Sequence, residues 1–219
     1  MSETAGSVMT CAKAQSWWHR DGLGYEGRDL CFAGVLPAKA AESENGPLYL
    51  YDGDRILENL ARLTDALKSA GLGARVFYAM KANRNAGVLS CILSSDMCGV
   101  DVCSPGELDL ALKAGFSQEN ISYTGTSVSN RDMDAVCMRP GVHFNCDSLS
   151  VIRRLGQRNP SNPAGIRVNP GAGLGYRRNS LLEYSGKVPS KFGIYRSRFC
   201  EALELAQKYG LRIEGIHFH

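Results

Sequence analysis

The chain has 219 residues, of which 25 are Lys or Arg and 22 are Asp or Glu, a formal net charge of +3. That length supports one sizeable domain with a real core, and 44% hydrophobic with 21% charged residues is ordinary for a globular protein. Lys and Arg are scattered, with no run longer than two, which argues against a nucleic-acid partner; no apolar run approaches the ~18 residues of a membrane helix.

Residues 1–10 lack a basic start followed by an apolar core, so no secretory leader is expected. Residues 1–46 read as a partly ordered lead, with an aromatic patch at Trp17-Trp18 that could dock on a domain or a partner. A β/α domain is expected over 47–219. Leu48-Tyr-Leu-Tyr51 predicts a short strand. A helix follows over 54–69, where Ile56, Leu57, Leu60, Leu63 and Leu67 form one apolar stripe at helical spacing, and Gly71 and Gly73 stop it.

From there one unit repeats: strand, polar turn, amphipathic helix. The strands are predicted at 75–80, 99–103, 121–123, 142–146, 165–168 and 213–218, the helices at 85–94, 105–114, 131–138, 149–157 and 198–209. Helix starts carry capping signals. Ser104-Pro-Gly-Glu107 offers a cap, a proline at the first helical position and a glutamate at the third; Ser129-Asn-Arg-Asp132 repeats the capping logic, and Asp147 or Ser148 can cap the next helix. Strands alternating with helices imply a parallel sheet with right-handed crossovers.

Six such strands suit a (β/α)₈ barrel or an open doubly wound sheet. Lys81, Asp101, Asn145, Arg167 and His219 all fall near the carboxyl ends of successive strands, and a barrel gathers those ends into one ring. Gly171-Ala-Gly173-Leu-Gly175 is not a dinucleotide-binding fingerprint; it begins a long excursion, 170–197, of the kind that often serves as a lid. The expected fold is therefore an α/β TIM-type barrel, incomplete because a full one needs two more strands and typically ~250 residues. The chain reads as a truncated piece, a fragment or one part of a split protein. Of the eight cysteines, Cys91, Cys98, Cys103, Cys137, Cys146 and Cys200 lie in or beside predicted elements; no C-x-x-C pair or zinc-like spacing occurs. Free buried thiols in a reducing cytoplasm and no metal are expected.

The chemistry points to Arg75-Val-Phe-Tyr-Ala-Met-Lys-Ala-Asn83, an apolar strand that runs straight into a lysine. A lysine desolvated at the mouth of an apolar barrel favours the neutral amine, the form that condenses with an aldehyde. The plainer alternative is a lysine leaving a strand for solvent. Asp101 in Val100-Asp-Val102 and Arg167 in Ile166-Arg-Val168 are charges inside apolar strands. Each needs a partner, either in the site or in a structural ion pair, for instance with one another. Glu107 reads as a helix-cap glutamate.

Tyr78-Ala-Met-Lys-Ala-Asn83 resembles the lysine motif of the fold-type III, pyridoxal-phosphate-dependent amino-acid decarboxylases, most of all the branch acting on diaminopimelate. Gly99-Val-Asp-Val-Cys-Ser-Pro-Gly-Glu-Leu108, Tyr123-Thr-Gly125, Phe144-Asn-Cys-Asp-Ser148, Ile166-Arg-Val-Asn-Pro170, Ser190-Lys-Phe-Gly-Ile194 and Gly215-Ile-His-Phe-His219 follow in order, so the resemblance covers roughly 47–219. It implies a barrel of the alanine racemase and decarboxylase kind with pyridoxal 5'-phosphate as cofactor. Lys81 would be the Schiff-base lysine, His219 would stack on the pyridine ring, and Asp101 and Arg167 would lie beside the cofactor. His217 would share the side of His219 at period two. The role of Lys191 stays unassigned. The resemblance further implies decarboxylation of a diamino or basic amino acid, diaminopimelate first, by a cytoplasmic homodimer with no membrane partner. The phosphate loops, the partner of the pyridine nitrogen and a C-terminal β-domain would lie beyond His219. Alternatives are a racemase of the same fold, whose Ala-Tyr-Gly-His run Arg84-Asn-Ala-Gly87 does not match, and a decarboxylase-like regulator or inactive fragment.

Overall fold

The computed structural model describes residues 22–42, 46–171 and 191–219. Two compact units divide the chain at Asp52 and Gly53.

In the first unit, β1 (Leu23–Glu26) and β2 (Asp29–Phe32) form an antiparallel hairpin, followed by the short helix α1 (Pro37–Ala41). The lead therefore carries strands that its composition did not announce. Residues 48–51, expected as a strand, lie outside any strand. Their alternation is strand-like, but pairing is what makes a strand, and no ladder receives them. Trp17-Trp18 lies outside the described residues.

The second unit opens with α2 (Gly53–Ser69). Ile56 and Leu60 of the expected stripe pack on the core, while Leu63 is 47% exposed. The Leu72 N–H closes the helix on the Leu67 carbonyl at 3.0 Å. Then come β3 (Val76–Ala79), α3 (Ala86–Ser94), β4 (Cys98–Val102), α4 (Pro105–Ala114), β5 (Ile121–Tyr123), α5 (Asn130–Cys137), β6 (His143–Cys146), α6 (Leu149–Arg158), β7 (Pro163–Asn169), the two-residue β8 (Ile194–Tyr195), α7 (Phe199–Lys208) and β9 (Arg212–His217).

The capping chemistry read from the sequence is realised. Ser104 Oγ accepts from Glu107 N–H, Ser148 Oγ from Val151 N–H, and Ser129 with Asp132 forms a reciprocal capping box. The Glu107 carboxylate goes one residue further than a capping box requires, accepting from Cys103 N–H at 2.8 Å.

All pairings of the larger sheet are parallel, in the order β3-β4-β5-β6-β7, with β9 and β8 on the far edge of β7. From β4 to β8 each strand lies beside the one before it, and β9 returns to β7. A doubly wound sheet reverses its order partway, so this is barrel topology. Alternation along the strands separates two faces. Val100, Val102, Ile121, Tyr123, Phe144, Cys146, Ala164 and Ile166 join helix residues such as Leu89, Leu108, Met133, Ile152 and Ala202 in one apolar layer. Tyr123 and Phe144 stack there with ring centroids 4.8 Å apart. The other face carries Lys81, Asp101, Thr124, Asn145 and Arg167, the polar residues of the barrel interior.

Among the described residues β3 pairs only with β4, and β9 only with β7. Ile216 and Phe218, at the end of the last of these strands, are 62% and 71% exposed. Unpaired apolar edges recruit other chains. A polypeptide of these 219 residues alone is therefore expected to self-associate, as light scattering will show. A monodisperse monomer with a cooperative unfolding transition would mean that the sheet closes by another route.

Candidate active site

Lys81 reaches its place through a tight turn. Met80 is fully buried and anchors the end of β3, and residues Met80–Ala82 form one 3₁₀ turn that turns Lys81 outward. Tyr78 OH donates to the Asn83 carbonyl at 3.1 Å, which ties the strand to the far side of the turn. Asn83 Oδ1 then accepts from Asn85 N–H, and Asn85 caps α3. The polar letters of the lysine motif are thus local scaffolding for one amine.

At the carboxyl ends of the strands a cavity of about 390 Å³ is lined by Lys81, Asp101, Cys103, Thr124, Thr126, Arg167, Phe192, His217 and His219. That volume suits a small ligand. Lys81, Asp101, Arg167 and His219 come together as expected from their strand positions. Two expectations need correction. Lys81 is exposed: among the described residues β3 pairs on one side only, and none of them covers the amine on the other. Asn145 does not reach the cavity. It is 5% exposed and lines a second cavity of about 530 Å³ toward the amino ends of the strands, with His143, Glu214 and Arg212. Barrel strands are sheared, so residues near successive strand ends fall in different layers.

The Asp101 carboxylate is satisfied by a hydroxyl rather than a cation. Thr124 Oγ1 donates to Asp101 Oδ1 at 2.6 Å, and Asn145 Nδ2 donates to Thr124 Oγ1 at 2.9 Å and to Ser122 Oγ at 3.0 Å. The structural ion pair between Asp101 and Arg167, one of the two alternatives for these charges, is not formed among the described residues. The Arg167 guanidinium instead lies 5.0 Å from the Phe192 ring centroid, with Lys191 Nζ 5.2 Å from the same ring. Gly193 makes this approach possible. Its φ is +86°, and a Cβ there would sit 2.8 Å from Asn169 N and 3.0 Å from the Arg167 carbonyl oxygen. Glu107, buried, takes Arg84 Nη1 at 3.5 Å and so links the loops after β3 and β4. The expected lid, residues 170–197, lies largely outside the described residues.

Burial pushes the Cys103 thiol up, with Asp101 and Glu107 adding to it, and burial raises the Asp147 carboxyl. Burial also lowers His217, and the Arg167 charge lowers it further. His217 Nδ1 is buried with no hydrogen-bond partner among the described residues. An orphaned ring nitrogen beside a cavity holding an amine, a guanidinium and a second imidazole suits an anionic aldehyde cofactor: the amine can bond the aldehyde, and the guanidinium can face its negative charge. Cys103, Thr124 and Phe192 also line the cavity; each lies in a stretch that carries the family resemblance, but the sequence assigned none of them a role.

A sequence profile of the pyridoxal-dependent decarboxylases, pyridoxal binding domain, matches residues 54–219. The chain belongs to this family, whose cofactor is pyridoxal phosphate. It is 36% identical over 191 residues to a diaminopimelate decarboxylase of Methanothermobacter thermautotrophicus, covering 87% of this chain and 44% of that protein. The structure resembles diaminopimelate decarboxylase from M. jannaschii, with TM-score 0.78 and 23% identity, over 91% of this chain and 48% of the other. It also resembles the Helicobacter pylori diaminopimelate decarboxylase complexed with L-lysine, with TM-score 0.70 and 25% identity, over 84% and 46% of the two chains. The chain spans less than half the length of these relatives. Among the described residues, no helix is long and apolar enough to cross a membrane.

Proposed function

We propose that the complete protein is a pyridoxal-phosphate-dependent decarboxylase that removes the α-carboxylate of diaminopimelate to leave lysine, working as a cytoplasmic homodimer. The observation that carries this reading is the meeting of Lys81, Asp101, Arg167 and His219 in one cavity of a pyridoxal-binding domain. The names of the relatives, and the L-lysine complexed with the H. pylori protein, support the substrate class.

The cofactor, when bound, supplies the electron sink for decarboxylation. This chain supplies position and charge. Lys81 is the amine that tethers the cofactor's aldehyde, held by the Tyr78–Asn83 turn. His219 offers an exposed ring just past the end of β9 to pack against the pyridine face. Arg167 brings a positive charge from β7, braced by Phe192. Asp101 brings the opposing negative charge. His217 offers Nδ1, unpartnered among the described residues, to whatever fills the cavity.

Borohydride reduction of the full-length protein with bound pyridoxal phosphate, followed by peptide mass mapping, should place the pyridoxyl group on Lys81. Labelling of Lys68 or Lys113 instead would show that the motif has been assigned to the wrong lysine.

A further inference from the structure

The hydroxyl of Thr124 sits between two groups that together decide where its proton goes. Asn145 Nδ2 is a donor only, and its two protons go to Ser122 Oγ and Thr124 Oγ1. The Thr124 and Asp101 oxygens lie 2.6 Å apart, a separation that requires a proton between them. The threonine proton meets no other acceptor among the described residues, so it points at Asp101 Oδ1. The chain of donors therefore runs one way, from Asn145 through Thr124 to Asp101. Its root is fixed. Asn145 is buried, and Gly165 on β7 leaves room for its amide, since a Cβ there would lie 2.6 Å from Asn145 Oδ1. Its tip lies in the Lys81 cavity. With Oδ1 engaged, Asp101 makes no second hydrogen bond among the described residues, and Oδ2 is left to the groups of the cavity.

We propose that Thr124 and Asn145 are positioning residues, whose one-way donor chain holds the Asp101 carboxylate as an acceptor in a single orientation and so sets the charge balance around Lys81. The inference rests on the reading of this cavity as the cofactor site. Neither residue need touch the substrate; both act through Asp101. The other charged or titratable groups near the cavity are Lys81 after β3, Cys103 after β4, Asp147 after β6, Arg167 on β7, and His217 and His219 at the end of β9. Basic side chains outnumber acidic ones there: Lys81 and Arg167 line the cavity, and Lys191 stands against the Phe192 ring. An aimed carboxylate offsets them and favours a proton on the nitrogen that joins Lys81 to the cofactor.

The test uses the full-length protein with pyridoxal phosphate bound, and reads the pH midpoint of the cofactor's absorption band together with the dissociation constant of pyridoxal phosphate. Thr124→Val keeps the shape of the side chain and removes the donor. It should lower the midpoint by about half a pH unit or more, as expected when a neighbouring charge loses its aim, and weaken cofactor binding several-fold. Thr124→Ser keeps the hydroxyl and should restore both values. Asn145→Ala should shift the midpoint in the same direction by less, and combined with Thr124→Val it should add nothing, because the chain is already cut. Melting temperatures identify any variant that has lost its fold; Thr124→Ser against the unsubstituted protein then decides through the restored midpoint. A midpoint that Thr124→Val leaves unmoved, or that Thr124→Ser moves equally far, overturns the inference and leaves the site reading standing. Absence of a Lys81-dependent band in the unsubstituted protein overturns both.

Discussion

Lys81→Ala in the full-length protein should cost at least about 1,000-fold in the rate of decarboxylation while leaving the fold unchanged. A tethered reactant gains effective concentrations of roughly 10⁵ M and above over a free one, and removing the tethering amine forfeits that gain. The fold should survive because Lys81 is exposed and makes no ion pair among the described residues. Surface substitutions of that kind usually change stability by no more than about 0.5 kcal/mol. Met80 and the Tyr78–Asn83 hydrogen bond, which hold the turn, remain in place. An added small primary amine should recover part of the rate by standing in for the missing side chain. Lys68→Ala and Lys113→Ala are the controls and should behave as the unsubstituted protein does. Full decarboxylation by the Lys81 variant would remove this lysine from the mechanism.

Gly193→Ala should be the most damaging single methyl group near the site. The residue has φ +86°, a conformation that costs an L-residue ~1–2 kcal/mol. The added Cβ also meets main chain rather than a movable side chain, with Asn169 N at 2.8 Å and the Val168 carbonyl carbon at 2.9 Å. Relief requires lifting the segment off β7. A loss of about 2–4 kcal/mol of stability is expected from strain and steric conflict together, read by chemical denaturation of the full-length protein. Because the same shift carries Phe192 away from Arg167, cofactor affinity should fall as well. Gly171 is the comparison. Its φ is +67°, but no atom of the described residues lies within 4 Å of the position its Cβ would take, so Gly171→Ala should cost only the conformational part, ~1–2 kcal/mol. Equal stability losses at the two positions would show that contact with β7 contributes nothing.

The helices and barrel strands were legible in the sequence because period and capping agree there. Ser104, Ser129 and the Asp147-Ser148 pair mark three helix starts to within a residue, and apolar strands bounded by turns mark the sheet. The hairpin at β1 and β2 was not legible. Its strands carry Gly24 and Asp29, show little alternation, and are held by pairing with each other. Leu48-Tyr-Leu-Tyr51 is the opposite case, a strand-like sequence without a ladder. In the site, the strand-end rule brought Lys81, Asp101, Arg167 and His219 together, but it says nothing about depth. Depth is set by the stagger between neighbouring strands, as Asn145 shows. Thr124 escaped notice because an unremarkable hydroxyl gains its importance from a carboxylate 23 positions away in sequence and 2.6 Å away in space.

The order of the strands bears on how the chain acquires this structure during synthesis. β4, β5, β6 and β7 each pair with the strand made just before them, and β9 reaches back to β7 across residues 170–211. Each step from β3 to β7 therefore closes a loop of one helix and its turns, a modest entropic cost at any point of elongation. From β4 to β7 no strand waits for a distant partner, and contacts between near neighbours favour rapid folding. As the polypeptide leaves the ribosome the sheet can be extended one strand at a time, from the Lys81 turn toward the histidine pair. Asp101, Thr124 and Asn145 would already be in register before Arg167 and His219 emerge, so the negative side of the cavity would be assembled first and the guanidinium and imidazoles would be added to it.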